Sequence, residues 1–352
     1  MSEPVRAALA QIVEGRTLDI ETARLAMGSV MDGEATPAQL AALLVALRMR
    51  GETVDELAGF ATAMRERVLR VGAPDGTIDV VGTGGDGSGT FNISTTSALV
   101  VAAAGVPVAK HGNRAITSRS GAADVLEALG VRIDHTAESA AADLRDLGFA
   151  FLFAPGFHPA MRHAGPTRRE IGVRTAFNLL GPLTNPAGAR RALLGVGDAA
   201  AAPRIAEVAQ RLGTERTLVV HGAGVDELPL DGSGVILDVT PDGIRESRVE
   251  PGLVGIRAAA TSELRGGTAD GNAALTVSIL EGHGGARRDV VLLNAGAALL
   301  AAGLVSSLPQ GIGLAAATID DGRARALLER LRASKAAADA ARAEAEAEGG
   351  AA

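Results

Sequence analysis

TIDVVGTGGDGSGTFNISTT, Thr77–Thr96, runs from a strand through a glycine loop into the start of a helix. Ile78, Val80 and Val81 make a short β-branched run, and Gly82, Gly84, Gly85, Gly87 and Gly89 then let the backbone double back. A loop without Cβ atoms can turn several N–H groups toward one anion. Ser94, Thr95 and Thr96 stand where a helix N-terminus should begin, ahead of the small apolar run Ala98–Ala104, so hydroxyls and free amides share the loop. Asp86 adds a carboxylate able to meet an amine or a metal-bound phosphate. An ordinary strand-to-helix turn with a capping Ser needs neither the extra glycines nor Asp86 and the hydroxyl cluster, so the stretch reads as a phosphate cradle.

Gly82-x-Gly84-x-x-Gly87 also has the spacing of a dinucleotide-binding fingerprint. That fingerprint opens its helix at once and is followed about twenty residues later by an acid for a ribose hydroxyl. Here seven more loop-like residues intervene, and the next strand, Val106–Ala109, leads into Lys110 instead of an acid. A cation suits phosphate, not a ribose diol.

Lys110-His-Gly-Asn-Arg-Ala115 follows that strand, where the carboxyl ends of parallel strands collect ligand groups. Lys110 and Arg114 bring positive charge, Gly112 permits close backbone approach, and Asn113 offers a donor and an acceptor. Taken alone the run could be a solvated basic turn; beside the glycine loop it reads as part of one site.

These two blocks resemble the anthranilate phosphoribosyltransferase family. The likeness continues through Ser120–Gly130, His158–His163, Pro166–Pro186 and Val220–Leu228, spanning the first helices to about residue 332. The resemblance implies transfer of a 5-phosphoribosyl group from phosphoribosyl pyrophosphate to the amine of anthranilate, in tryptophan biosynthesis. It also implies Mg2+, as two ions with the pyrophosphate, and a homodimer through the helical lobe. By position, the donor would be held by Gly82, Gly85, Asp86, Thr90, Asn92, Ile93, Ser94 and Thr95. The run Lys110, His111, Gly112, Asn113, Arg114, Ala115, Ile116, Thr117 and Ser118, with Ala122, would complete the donor site. Ser94, Asp226 and Glu227 would bind the metal, while Gly82, Asn113 and Arg168 would contact anthranilate, Arg168 pairing its carboxylate. The family usually carries Ser where this chain has Ala122, which removes a hydroxyl from the donor site, and Thr167 stands where Val is common.

The chemistry agrees with such a set. Displacement at an anomeric carbon leaves negative charge on the departing pyrophosphate, which a divalent ion can neutralise. Mg2+ takes oxygen ligands from one or two carboxylates together with substrate phosphates, a demand that Asp226-Glu227 meets just after the strand Thr217–Val220. An Asp-Glu pair in a loop is otherwise ordinary solvated surface. A neutral aromatic amine needs no strong base before attack, so no catalytic triad is expected. The chain has no Cys, and no Ser lies in a nucleophile elbow. His111 stands either as a late proton acceptor or as a ring oriented by loop packing. His158 and His163, five apart and separated by Pro159, make a poor metal pair, and His158-Pro159 is expected to shape the entrance for the aromatic substrate. Of Arg168, Arg169 and Arg174, one is expected on the substrate carboxylate and the others in ion pairs.

At 352 residues and 47% hydrophobic content the chain can bury a large core, and its length favours two lobes. A net charge of −7 and 2% aromatic content, without Trp or Tyr, disfavour nucleic acid as a partner. The amino terminus lacks the apolar core of a signal peptide, and no uninterrupted apolar stretch reaches membrane length, so a cytoplasmic enzyme is expected.

The expected fold is α/β: a helical lobe over residues 1–71, joined by helices from about 159–181, a larger lobe over 75–333 with a mostly parallel sheet, and a low-complexity tail over 334–352. Thr36-Pro-Ala-Gln39 combines an N-cap, a first-turn proline and a capping box, with Gly51 as the stop; Thr53-x-x-Glu56 starts the next helix in the same way. Strands are expected at Val106–Ala109, Phe151–Phe153, Leu193–Val196, Thr217–Val220 and Asp289–Leu293, with an antiparallel hairpin at Val235–Val239 and Ile244–Val249. The tail reads as frayed helix or disorder.

Two other functions share parts of this pattern. A pyrimidine nucleoside phosphorylase shares the broad fold group but not the Lys-His-Gly-Asn-Arg and Asn-Leu-Leu-Gly-Pro-Leu runs. A degenerate, nucleic-acid-binding relative should have lost the donor residues and gained basic surface, whereas this chain keeps the former and is acidic.

Overall fold

The computed structural model describes residues 2–115 and 119–349. Its centre is a seven-stranded sheet: β1 (Ile78–Gly82), β2 (Val108–Gly112), β3 (Phe149–Phe153), β4 (Arg191–Gly195), β5 (Arg216–His221), β6 (Gly234–Thr240) and β7 (Gly243–Val249). The strand order is β3-β2-β1-β4-β5-β6-β7. The first five strands run parallel, and β6 and β7 close one edge as an antiparallel hairpin.

Side-chain alternation sends successive residues to opposite faces. Ile78, Val80, Leu193, Leu218 and Val220 pack with the helices Ile93–Ala103, Ala286–Ala301 and Leu308–Asp320. Val81, Leu194, Val219 and Val239 face the other way, toward the helix Ala202–Arg211 and the helical lobe. Each such side chain, fully buried, contributes roughly 1.5–3 kcal/mol of transfer free energy.

The helical lobe begins as its capping residues predict. Thr36 Oγ1 accepts from Gln39 N and the Gln39 side chain accepts from Thr36 N, both at 3.2 Å, and Gly51 ends that helix at φ 90°. Thr53 and Glu56 form the same reciprocal pair. The segment 159–180 returns to this lobe as short pieces, Pro159–Arg162, Gly165–Ile171 and Phe177–Leu180, with Ala164, Ala176, Phe177 and Leu180 in its core.

Asp289–Leu293 is not a strand. It lies inside the helix Ala286–Ala301, whose residues Val290–Leu299 are all buried. A helix buried on all sides loses its polar stripe, so its apolar run is indistinguishable from a strand by pattern. β2 also runs on through Gly112, past the expected end at Ala109, because Lys110, His111 and Gly112 pair with Phe151, Leu152 and Phe153 of β3. The last helix, Arg323–Gly349, takes in the described part of the segment expected as a frayed or disordered tail. Among the described residues, no helix is long and apolar enough to cross a membrane.

Candidate active site

The order β3-β2-β1-β4-β5 reverses direction between β1 and β4, and ligands of open α/β sheets bind outside the carboxyl ends of the strands at such a point. Gly82 ends β1 directly beside Gly195, which ends β4. Both must be glycine because the loop after β5 lies across them. A Cβ on Gly82 would come within 2.3 Å of Asp226 Oδ2, and one on Gly195 within 1.6 Å of the Asp226 carbonyl oxygen.

That loop brings two carboxylates onto the cradle. Asp226 Oδ2 accepts from Gly84 N at 2.7 Å, and Glu227 Oε1 accepts from Ser94 N, in the first turn of the helix Ile93–Ala103, at 3.0 Å. Asn294, in the middle of the buried helix, holds the loop from behind: its Oδ1 accepts from Leu228 N at 2.9 Å and its Nδ2 donates to Leu228 O at 3.0 Å. Burial, then repulsion from Asp86, pushes the Asp226 carboxyl up to about 6. Burial, then Asp226, pushes Glu227 well above the usual carboxylate range. Crowded acids of this kind stand where a cation can repay their desolvation.

Lys110 is that kind of cation, and it is buried. Its Nζ donates to Val80 O at 2.5 Å and Ser94 Oγ at 3.3 Å, and burial lowers its pKa against the pull of Asp79, Glu227 and Asp226. Asp79 backs β2, accepting from His111 N at 3.2 Å and Asn185 Nδ2 at 2.7 Å, and burial raises its carboxyl to about 6.

His111 faces His158 at 5.1 Å between ring centroids, and its Nδ1 lies 3.1 Å from Gly181 O. Burial, then the charge His158 would carry, pushes His111 down to about 3, and burial lowers His158 to about 4. Both rings are therefore neutral at neutral pH, and the Nε2 of each is buried without a hydrogen-bond partner. Arg168 stacks 4.7 Å over the Phe177 ring and forms no ion pair among the described residues; burial lowers its pKa.

Several of the residues named from the sequence have partners within the protein. Arg114 is engaged by Asp124 at 2.9 Å and Glu127 at 2.8 Å, and Asn113 Oδ1 caps Arg114 N at 2.7 Å. Gly112 avoids the Phe151 ring, 2.9 Å from where its Cβ would be. Ile93 is a core side chain, and its N–H is taken by Phe91 O. Asn92 is held by Asn272 at 2.8 Å, and Thr90 Oγ1 meets Ser88 Oγ at 3.2 Å. Thr95 Oγ1 is buried without a partner, and Ala122 opens the helix Ala122–Ala128. Gly85 and Asp86 lie in the loop itself, Asp86 Oδ1 accepting from Ser88 N at 3.1 Å. Ala115 N donates to Asp124. Ile116, Thr117 and Ser118 lie outside the described residues.

Among the described residues no three or more His, Cys, Asp or Glu converge as a closed metal cage. Mg2+ needs none when substrate phosphates complete its shell, and the oxygen-only pair Asp226-Glu227 beside the glycine loop fits it.

Known proteins match along nearly the whole chain. Residues 75–325 match the glycosyl transferase family, a/b domain, and residues 6–68 its helical bundle domain. An anthranilate phosphoribosyltransferase from Azorhizobium caulinodans is 50% identical over 330 residues, 94% of this chain and 96% of that protein. The crystal structure of the enzyme from Thermus thermophilus superposes with a TM-score of 0.89 at 47% identity, over 93% of this chain and 99% of that one. The Saccharomyces cerevisiae enzyme, in complex with phosphoribosyl pyrophosphate and Mg, superposes at 0.87 with 27% identity, over 96% of this chain and 99% of that one. With half its residues shared at nearly full length and the same two-lobed fold, the chain belongs to the anthranilate phosphoribosyltransferase family.

Proposed function

We propose that the chain moves the 5-phosphoribosyl group of phosphoribosyl pyrophosphate onto the amine of anthranilate, releasing pyrophosphate, as a step of tryptophan biosynthesis. One observation carries this reading: glycine-loop amides, a helix N-terminus, Lys110 and two crowded carboxylates meet at the sheet's switch point. That is a site for a metal-bound diphosphate.

In this reading the loop Gly82–Gly89 and the first turn after Asn92 bind the diphosphate through backbone N–H groups. Lys110, fixed on the Val80 carbonyl, adds a desolvated positive charge. Asp226, Glu227 and Ser94 would hold Mg2+, two ions with the pyrophosphate, which supply positive charge to the leaving oxygens. Arg168, with no carboxylate partner among the described residues, pairs the carboxylate of anthranilate, while Asn113 and Gly82 border the amine.

The bond from C1 to nitrogen forms as that from C1 to the diphosphate oxygen breaks, and the amine then loses one proton to the released pyrophosphate. Placement supplies most of the acceleration. The neutral, weakly basic His111 and His158 line the acceptor side and exclude water, without acting as strong bases. The exposed apolar residues Leu25, Val45 and Met49 of the helical lobe support a homodimer through that lobe, and the reading places the enzyme in the cytoplasm.

Mixing protein, Mg2+, phosphoribosyl pyrophosphate and anthranilate, and following the loss of anthranilate fluorescence, tests the reading. A parent protein that leaves the fluorescence unchanged rejects it.

A further inference from the structure

Arg174 lies between the helices Gly165–Ile171 and Phe177–Leu180, on the segment that also carries Arg168. It is exposed, yet it forms no ion pair among the described residues. Its Nη1 donates instead to two successive backbone carbonyls of the glycine loop, Gly84 O at 2.8 Å and Gly85 O at 2.7 Å. The fit is close: a Cβ on Gly85 would stand 2.1 Å from that nitrogen.

Gly84 and Gly85 both have left-handed backbone, with φ of 63° and 65°. Two consecutive left-handed residues turn their carbonyls to the same side of the chain. In a planar trans peptide the N–H points opposite to the C=O. Fixing these two carbonyls on one guanidinium therefore turns the N–H groups of Gly85 and Asp86 to the other side, away from Arg174. Neither N–H has a protein acceptor among the described residues.

We infer that Arg174 is a positioning residue for the phosphoribosyl donor, holding the glycine loop so that the Gly85 and Asp86 amides face the diphosphate. The inference rests on the function proposed above and deepens it. The cation also stands behind the loop and adds positive potential to the anion side without touching the substrate. Because Arg174 and Arg168 share one short segment, a shift of that segment at the anthranilate side is transmitted to the donor amides.

The test uses the full chain and the variants Arg174→Ala and Arg174→Lys. Three readouts are taken: the dissociation constant of inorganic pyrophosphate with Mg2+ by calorimetry, the KM values of the two substrates, and amide hydrogen exchange across residues 84–88. Losing two charge-assisted hydrogen bonds at an exposed position should weaken pyrophosphate and raise the donor KM roughly 10-fold in Arg174→Ala. The anthranilate KM should change by no more than about 2-fold, exchange over 84–88 should quicken, and Arg174→Lys should recover part of the loss.

Parental pyrophosphate affinity and donor KM in Arg174→Ala, or a loss confined to the anthranilate KM, overturns the inference. Should that variant fail to fold, Arg174→Met, which keeps an unbranched stem and removes every donor, carries the same readouts, and parental values there overturn it equally. An inactive parent points to the functional reading as the error; an active parent with indifferent variants points to the role of Arg174.

Discussion

The Asp226 carboxylate reaches across 142 residues of sequence to accept a 2.7 Å hydrogen bond from the backbone N–H of Gly84. Glu227 does the same to Ser94 N at 3.0 Å. The acids thus occupy amides that a diphosphate would use, and their own charges are crowded and desolvated. Anything that binds there has to bring positive charge for the acids or displace them.

Asp226→Asn keeps the shape of the side chain and removes its charge. Turnover is expected to fall roughly 100-fold, the usual scale for removing one preorganised electrostatic group. Half-saturating Mg2+ should rise with it. A magnesium titration of kcat checks both; a parental curve would take Asp226 out of the site.

Arg168→Ala removes the cation stacked on Phe177 that has no acidic partner among the described residues. A charged hydrogen-bond pair is worth about 2 kcal/mol, so the anthranilate KM should rise roughly 30-fold while the donor KM stays near the parental value. Steady-state kinetics with each substrate varied in turn separates the two.

Acid should weaken the contribution of the paired rings to stability. His111 and His158 have folded pKa values of about 3 and about 4, below the ordinary 6.5, so the unfolded chain binds more protons between those limits. That contribution is complete above pH 6.5 and is lost as pH falls to the folded values, about 4 for His158 and about 3 for His111, by roughly 3–5 kcal/mol per ring. Asp79 and Asp226, with folded values raised to about 6 from 3.8, bind more protons folded than unfolded and work in the opposite direction, so the rings are read by difference. Between pH 7.5 and pH 5 the urea midpoint should shift toward instability more in the parent than in His158→Gln. Equal slopes would place the acid sensitivity elsewhere.

Gly195→Ala puts a methyl 1.6 Å from the Asp226 carbonyl oxygen, a backbone atom that cannot move without its loop. The expected cost is about 2 kcal/mol or more, with loss of turnover because Asp226 and Glu227 shift together. Thermal unfolding and kcat should both drop. Gly313→Ala, in the helix Leu308–Asp320 where no atom lies within 4 Å, is the control expected to leave stability at or slightly above the parental value.

Much of the site is legible in the sequence because its parts are local. The glycines, the hydroxyl cluster and the capping boxes act through neighbours in sequence, and Thr36-Gln39 and Thr53-Glu56 form as their spacing requires. Arg174 reads in the sequence as an ion-pairing residue, since nothing there shows that two carbonyls 89 and 90 residues away lie under its guanidinium. Asn294 escapes a sequence reading because its surroundings have the pattern of a strand. An Asn inside an otherwise apolar run is the available signal, since a buried amide has to find partners, and it finds them on Leu228.

The order of residues by itself determined the local chemistry: a glycine loop rich in free amides, a basic strand end, an acidic pair and the two classes of lobe. Each depends on backbone freedom, side-chain type or periodicity within a few positions. Only the tertiary structure decided which groups are charged and which are spoken for. Burial turned His111 and His158 into neutral rings, ion pairing engaged Arg114 with Asp124 and Glu127, and the crossing of the β5 loop over Gly82 and Gly195 set Asp226 and Glu227 on the cradle. Desolvation and long-range contact depend on what surrounds a group in space, and that is created only when distant segments pack.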